Sequence, residues 1–159
     1  MIAVLFVALA VALVIGPIMM MQPNATQRRE IACRDKALAL GLKVHLLPLP
    51  LGQGSRQVPA YCLPWRSDKA DARPWLLVKG TFDHDLHFCS HWDWFGDQAA
   101  SPEWHPALKR ALNNIPGNIL AIANGPQGLC VFWEEKGDLS LLEEFVSLLQ
   151  PLAEIAYER

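Results

Sequence analysis

The part of the chain richest in reactive side chains is DHDLHFCSHWDW, residues 83–94. It contains three histidines, one cysteine and three aspartates. Imidazole, thiolate and carboxylate groups are the ligands that zinc and related transition metals take in proteins. His84, His87, Cys89 and His91 are therefore weak candidates for a metal site.

The spacing in this segment favours a strand over a metal site. From Phe82 onward the even positions are mainly apolar and the odd positions mainly polar, which predicts one half-buried strand or two short ones. On a strand His87 and His91 lie about 13 Å apart, too far for one zinc with bonds of about 2 Å. On a helix the same pair could chelate directly. We expect a polar strand face that is solvated or faces a partner, and no cofactor.

Catalytic motifs do not accompany these residues. Cys89 between two histidines could be a nucleophile only if a histidine reached the thiol. The sequence has no HExxH, CxxC, Walker loop, GxGxxG or GxSxG pattern. We therefore expect no catalytic residue and a protein that is not an enzyme.

Residues 1–22 carry no charged side chain, and the first charge along the chain is Arg28. About 20 apolar residues are needed to cross a hydrocarbon core of roughly 30 Å, so this segment predicts a transmembrane helix. Pro17 predicts a kink within it. The alternative is a cleaved signal peptide, but the segment has no basic n-region and its apolar run is long for one.

The basic residues that follow predict the orientation. Arg28, Arg29, Arg34 and Lys36 lie close to the end of the apolar segment. The positive-inside rule then places the N-terminus outside a bacterial inner membrane and the C-terminal domain in the cytoplasm. The same four cations are candidate membrane-surface residues that contact anionic lipid headgroups.

The four cysteines, Cys33, Cys62, Cys89 and Cys130, are spaced singly. In a reducing cytosol they need no disulfide, and Cys62 and Cys130 read as small core residues. Because their number is even, a domain with two bridges in an oxidising compartment is the open alternative.

The domain prediction is a transmembrane helix over 1–22, a basic juxtamembrane helix over 23–41 and an α+β domain over 42–159. Asn24 can cap the second helix and Gly41 can end it. The last part has several strand patterns, including a hairpin over 119–133, and two helices, over 106–114 and from Asp138 onward. The fold class is thus α+β, with a small, mostly antiparallel sheet and two packed helices.

Six tryptophans are many for a domain of this size. Most are expected in the core. Trp92, Trp94 and Phe95 directly precede a loop and are candidates for docking on a bilayer or another protein. The net charge of −2 gives no basic surface for nucleic acid, which is not an expected partner.

Residues 1–45 resemble YajC, the small accessory subunit of the bacterial Sec preprotein translocase. The resemblance consists of the uncharged segment 1–22, Pro23, Arg28-Arg29 and the start of a β region at Val44. It implies a membrane-anchored, non-catalytic accessory or assembly subunit of an inner-membrane complex, with the bilayer and other membrane proteins as partners. No functional residue transfers from it. The alternative function is a membrane-tethered metal-binding enzyme or sensor that uses residues 83–94.

Overall fold

The computed structural model describes residues 1–20, 24–51, 54–67, 73–80, 88–116 and 118–157. The described chain forms two compact units, Met1–Ala32 and Cys33–Arg159. In chain order the elements are α1 (Ile2–Met20), α2 (Ala25–Ala39), β1 (Lys43–Leu51), β2 (Gly54–Leu63), β3 (Trp75–Lys79), β4 (Trp92–Trp94), a 3₁₀ turn (Pro102–Trp104), α3 (His105–Asn113), β5 (Ile119–Gly125), β6 (Gly128–Trp133) and α4 (Leu141–Ile155).

The first unit begins with α1, which has 19 residues. At a rise of about 1.5 Å per residue this helix is about 28 Å long, short of the roughly 30 Å of a hydrocarbon core. In the part of the chain that the structure describes, no helix combines the length and apolarity needed to cross a membrane. The predicted transmembrane helix over 1–22 is therefore wrong. Three further predictions rested on that helix and are wrong as well: the single-pass topology, the inner-membrane location and the cytoplasmic placement of the C-terminal domain.

Helix α2 has the ends that its sequence predicts. The Asn24 side chain accepts a hydrogen bond from the Gln27 backbone at 2.8 Å, and the Gln27 side chain accepts one from the Asn24 backbone at 3.0 Å. This reciprocal pair is a capping box. At the other end Gly41 takes a positive φ of 80°, and the Leu42 amide donates to the Ala37 carbonyl at 2.9 Å. The left-handed glycine thus ends the helix and turns the chain into β1.

The second unit is an α+β fold built on a six-stranded sheet with the order β1-β2-β6-β5-β3-β4. All of its described strand pairs are antiparallel. The hairpin predicted over 119–133 is confirmed as β5–β6, and it closes between Gly125 and Gly128. Gly128 is required there, because a Cβ at this position would lie 2.0 Å from the Leu63 carbonyl oxygen.

Strand β6 is buried on both faces of the sheet. On one face Trp133, Val131 and Leu129 join the larger core cluster with the helices. On the other face Phe132 and Cys130 join a smaller cluster with residues of β1, β2 and β5. Because neighbouring residues of a strand point to opposite faces, one central strand contributes to two cores.

Helices α3 and α4 cover one face of this sheet with amphipathic stripes. Leu108 and Leu112 of α3 are buried, as are the apolar residues of α4 at the matching helical spacing, Leu142, Phe145, Leu149 and Leu152. Ser140 lies at the start of α4, but its side chain makes no capping hydrogen bond. Pro151 does not end α4, which continues to Ile155.

A disulfide joins Cys62 of β2 to Cys130 of β6. The two residues are directly opposite in the antiparallel register, where Cβ atoms approach within the range that a disulfide needs. The sequence argument for reduced cysteines is therefore wrong for this pair. Disulfides persist in oxidising environments, so cysteine usage no longer indicates a reducing cytosol.

Loss of this bond is expected to destabilise the fold. The two cysteines are 68 residues apart in sequence, and closing a loop of that length in the unfolded chain corresponds to about 4 kcal/mol. A Cys62→Ala/Cys130→Ala double variant should lower the free energy of unfolding by about 2–5 kcal/mol in urea titrations. The matched control is Cys89→Ala, which removes a half-buried thiol outside any disulfide and should change stability by less than about 1 kcal/mol. Equal stability of the double variant and the control would contradict the expectation.

Candidate functional site

A groove of about 410 Å³ lies between α3 and α4. This volume lies in the range of sites that bind small molecules or peptide side chains, roughly 300–1,000 Å³. The residues lining the groove are Ala107, Arg110, Ala111, Asn114, Glu144, Ser147, Leu148, Pro151 and Leu152.

Each wall of the groove is a stripe of residues at helical spacing. On α3 the stripe contains Ala107, Ala111 and Asn114, at i, i+4 and i+7. On α4 it contains Glu144, Leu148 and Pro151, with the same spacing. Residues so spaced lie on one face of a helix, so each helix presents a second face beside the one that packs on the sheet.

Small side chains on α3 create the space. Leu108 and Leu112 are directed into the core and are buried. Their neighbours Ala107 and Ala111 have only a methyl group with which to fill the gap toward α4. The floor of the groove is therefore apolar, and its depth depends on the two alanines.

The rim of the groove carries opposite charges. Arg110 lies on the α3 side and Glu144 on the α4 side, and both are exposed. Arg110 donates a hydrogen bond from Nε to the Pro106 carbonyl of its own helix at 3.4 Å. Among the described residues neither charge has an ion-pair partner within 4.0 Å. The two charges are thus available to groups that enter the groove.

Pro151 removes one backbone hydrogen bond from the α4 wall. Proline has no backbone N–H, so it cannot donate to the carbonyl of Ser147, four residues earlier in the helix. Both residues line the groove and both are exposed. The wall near Glu144 therefore favours a hydrogen-bond donor or a cation, while the wall near Arg110 favours an anion.

This groove was not identified from the sequence. The Leu108/Leu112 pattern predicts a core-facing helix, but it carries no information about what packs on the neighbouring face. The available signal was the alanine pair 107/111 beside that pattern, on a helix whose exposed positions include Lys109, Arg110 and Asn113. Alanine pairs are common in helices, so this signal alone does not distinguish a groove from a packed contact.

The 83–94 segment is only partly described. His84 and His87 lie outside the described residues. Cys89, Ser90, His91 and Trp92 form a tight turn, in which the Trp92 amide donates to the Cys89 carbonyl at 2.9 Å. Ser90 has a positive φ of 52°, which such a reversal requires. In place of one long strand, the described part contains this turn and the three-residue strand β4.

The metal prediction gains no support from the described part of the segment. There, no three residues of the metal-binding types come together. The Cys89 thiol lies 3.8 Å from the Asn113 side-chain oxygen, at hydrogen-bond distance for sulfur. His91 is an exposed turn residue. A metal site formed by His84, His87, Cys89 and His91 therefore stays a prediction.

The proposed docking residues divide between core and surface. Trp92 is 3% exposed and belongs to the main core. Trp94 packs on Trp75 at 5.7 Å and on Phe88 at 4.8 Å between ring centroids. Phe95 is 52% exposed. Of the three side chains, only Phe95 presents a large apolar surface to solvent.

The four candidate membrane-surface cations also differ. Arg28 and Arg29 are exposed residues of the first unit. In the second unit Lys36 pairs with Glu143 at 2.8 Å, and Arg34 lies 4.0 Å from Glu135. Such surface ion pairs contribute about 0–1 kcal/mol each. Within the second unit, Arg34 and Lys36 therefore connect the end of α2 to the residues after β6 and to α4.

A buried phenol and carboxylate form the other polar centre of the second unit. The Tyr61 hydroxyl donates to Glu135 Oε1 at 2.7 Å. Glu135 has a positive φ of 57°, a strained conformation for a residue with a side chain. A hydrogen bond at the next residue stabilises this turn: the Trp133 indole donates to the Lys136 carbonyl at 3.0 Å. The pair connects β2 to the end of β6 and positions Glu135 near Arg34.

The Tyr61 pair predicts a loss of stability at alkaline pH. Burial raises the pKa of Tyr61 far above its ordinary value of 10.0, and the hydrogen bond and negative charge of Glu135 act in the same direction. Above about pH 10 the unfolded chain releases a phenol proton that the folded protein retains. The free energy of unfolding should therefore fall as pH rises above about 10, as measured by urea titrations at several pH values.

The Tyr61→Phe variant is the control for this prediction. It has no proton to release in the unfolded state, so its stability should depend less on pH above about 10. At pH 7 it should be about 1–3 kcal/mol less stable, since it removes the hydroxyl donor from a largely buried carboxylate. Parallel alkaline profiles for the variant and the natural protein would contradict this account of Tyr61.

Comparison with known proteins gives this chain no relative. No protein-family model, no curated protein and no solved structure matches it significantly. The resemblance of residues 1–45 to the translocase subunit family is therefore not tested by these comparisons. The function has to be argued from the geometry of the second unit.

Proposed function

We propose that this protein is a non-catalytic accessory or assembly subunit that binds a partner protein through the α3–α4 groove. The observation that carries the proposal is the groove itself, with an apolar floor of Ala107 and Ala111 between two opposite charges that have no ion-pair partner among the described residues. Binding sites for peptide segments have this composition, an apolar centre with a polar rim.

The occupant is a short amphipathic segment of the partner. An apolar side chain fills the space over the two alanines. An acidic residue on one side of that anchor pairs with Arg110, and a basic residue on the other side pairs with Glu144 and the Ser147 carbonyl. On the α3 side the lining runs from Ala107 to Asn114, a span of eight residues, or about 10 Å along the helix. The contact therefore extends over about two helical turns of the partner.

The apolar anchor supplies most of the binding free energy. Full burial of a leucine or phenylalanine side chain contributes about 1.5–3 kcal/mol. Each rim ion pair is solvated and contributes about 0–1 kcal/mol. The charges therefore select the partner and its orientation more than they strengthen binding.

The resemblance of residues 1–45 to an accessory subunit family supports a role in protein assembly. The groove lies in the part of the chain beyond that resemblance. Association with the preprotein translocase is thus one specific form of the proposal, and the identity of the captured partner decides it.

The test combines crosslinking in the groove with a substitution that fills it. A photoreactive amino acid replaces Asn114 at the groove rim, and in a control protein it replaces Ala39, an exposed residue of α2. After irradiation of cells that produce each protein, mass spectrometry identifies the crosslinked peptides. We expect a peptide with an apolar residue between an acidic and a basic one, captured from position 114 only.

Filling the groove should abolish this capture. Ala111→Leu adds three carbon atoms to the floor, and Ala39→Leu makes the same change on an exposed helical face outside the groove. Ala111→Leu should weaken binding of the identified peptide at least about tenfold, or 1.4 kcal/mol, in calorimetric titrations. Ala39→Leu should leave the affinity unchanged. Equal affinity of the two variants, or equal capture from positions 114 and 39, would refute the groove as the binding site.

A further inference from the structure

A second cavity, of about 110 Å³, lies at the edge of the sheet next to the start of β3. It is separate from the α3–α4 groove and shares no lining residue with it. Its lining residues are Arg73, Trp75, Ala99, Ala100, Ser101 and Trp104.

Trp75, one of the lining residues, has a buried hydrogen-bond donor without a partner among the described residues. Trp75 is 4% exposed, and its indole N–H has no acceptor among the described residues. Other indoles of the protein show the usual arrangement, since Trp65 donates to the Gly125 carbonyl at 2.8 Å and Trp133 to the Lys136 carbonyl at 3.0 Å. Buried donors in folded proteins are nearly always paired, so an unpaired one beside a cavity indicates an acceptor that occupies it.

The surroundings of Trp75 are held in place. Its ring packs edge-on against Trp94 at 5.7 Å and Trp104 at 5.5 Å between centroids. Asn124, which is paired with Trp75 across β3 and β5, donates from its side chain to the Arg73 carbonyl at 2.7 Å. The donor is therefore preorganised, and the backbone that carries Arg73 is fixed beside it.

We propose that this cavity binds a short-chain carboxylate of the acetate or propionate class. One carboxylate oxygen accepts the hydrogen bond from the Trp75 indole. The positive charge of Arg73, at the exposed side of the lining, favours an anion over a neutral acceptor. The methyl groups of Ala99 and Ala100 and the Trp104 ring form apolar walls suited to a short alkyl group.

The dimensions of the cavity restrict its ligand. A volume of about 110 Å³ is smaller than the roughly 150 Å³ of a cavity that binds benzene. Acetate and propionate are of this size, whereas longer carboxylates exceed it. Sulfate and phosphate would place charged oxygens against the alanine methyl groups, so they fit the walls poorly.

The test uses the indole N–H signals of the full-length protein labelled with ¹⁵N-tryptophan. A Trp75→Phe spectrum assigns the Trp75 signal. The protein is then titrated with sodium acetate, propionate, hexanoate and sulfate, each against sodium chloride at equal ionic strength. We expect a saturable shift of the Trp75 signal with acetate and propionate, and no saturable shift with the other salts. The Trp65 and Trp133 signals should remain in place, because those indoles already have acceptors.

Two further variants separate ligand binding from a structural role of Trp75. Ala100→Val narrows the cavity but keeps the indole donor, so it should abolish the acetate shift while the Trp65 and Trp133 signals report an intact fold. Arg73→Gln should weaken acetate about tenfold, the effect of losing one charge-assisted contact. A Trp75 signal that responds alike to acetate and chloride would overturn the proposal and show that the cavity holds water only. An acetate shift that persists unchanged in Ala100→Val would overturn it as well, because binding would then occur elsewhere.

Discussion

The burial of β6 is the constraint on which the rest of the second unit depends. All six residues of this strand are buried, and the five from Leu129 to Trp133 alternate between two apolar clusters. A strand that is apolar on both faces requires cover on both sides and a neighbour along each edge. Strands β2 and β5 supply the neighbours, and the helices supply the cover on one face. The disulfide and the Tyr61–Glu135 hydrogen bond both connect to this strand or its end.

The sequence predicted helix ends and turns correctly where a few neighbouring residues determine them. Asn24 and Gly41 mark the ends of α2 because capping and left-handed backbone depend on single residues. The β5–β6 hairpin follows from its turn residues and the apolar runs beside them. In contrast, Pro151 did not end α4, since packing of Leu152 and its neighbours against the sheet compensates for one missing hydrogen bond.

The features that depend on tertiary structure could not be predicted in the same way. The disulfide requires Cys62 and Cys130 to be opposite in register, and nothing in their spacing places β6 beside β2. The α3–α4 groove exists because two helices leave a gap over Ala107 and Ala111, which hydrophobic periodicity cannot detect. The Trp75 indole likewise has no acceptor among the described residues, which its sequence neighbours do not reveal. Both candidate sites are therefore properties of how elements meet, and of the reactive residues in the 83–94 segment the described Cys89 and His91 line neither site.

The strand order has a consequence for the synthesis of the protein on the ribosome. The β5–β6 hairpin is made after β1 to β4, yet it occupies the middle of the sheet between β2 and β3. Until it emerges, β2 and β3 each present an unpaired edge, and such edges can pair with other chains. The nascent chain thus holds two incomplete parts of one sheet, β1–β2 and β3–β4, until the β5–β6 hairpin is made and joins them. Truncation before β5 would accordingly leave a chain prone to aggregate and would not give a smaller folded domain.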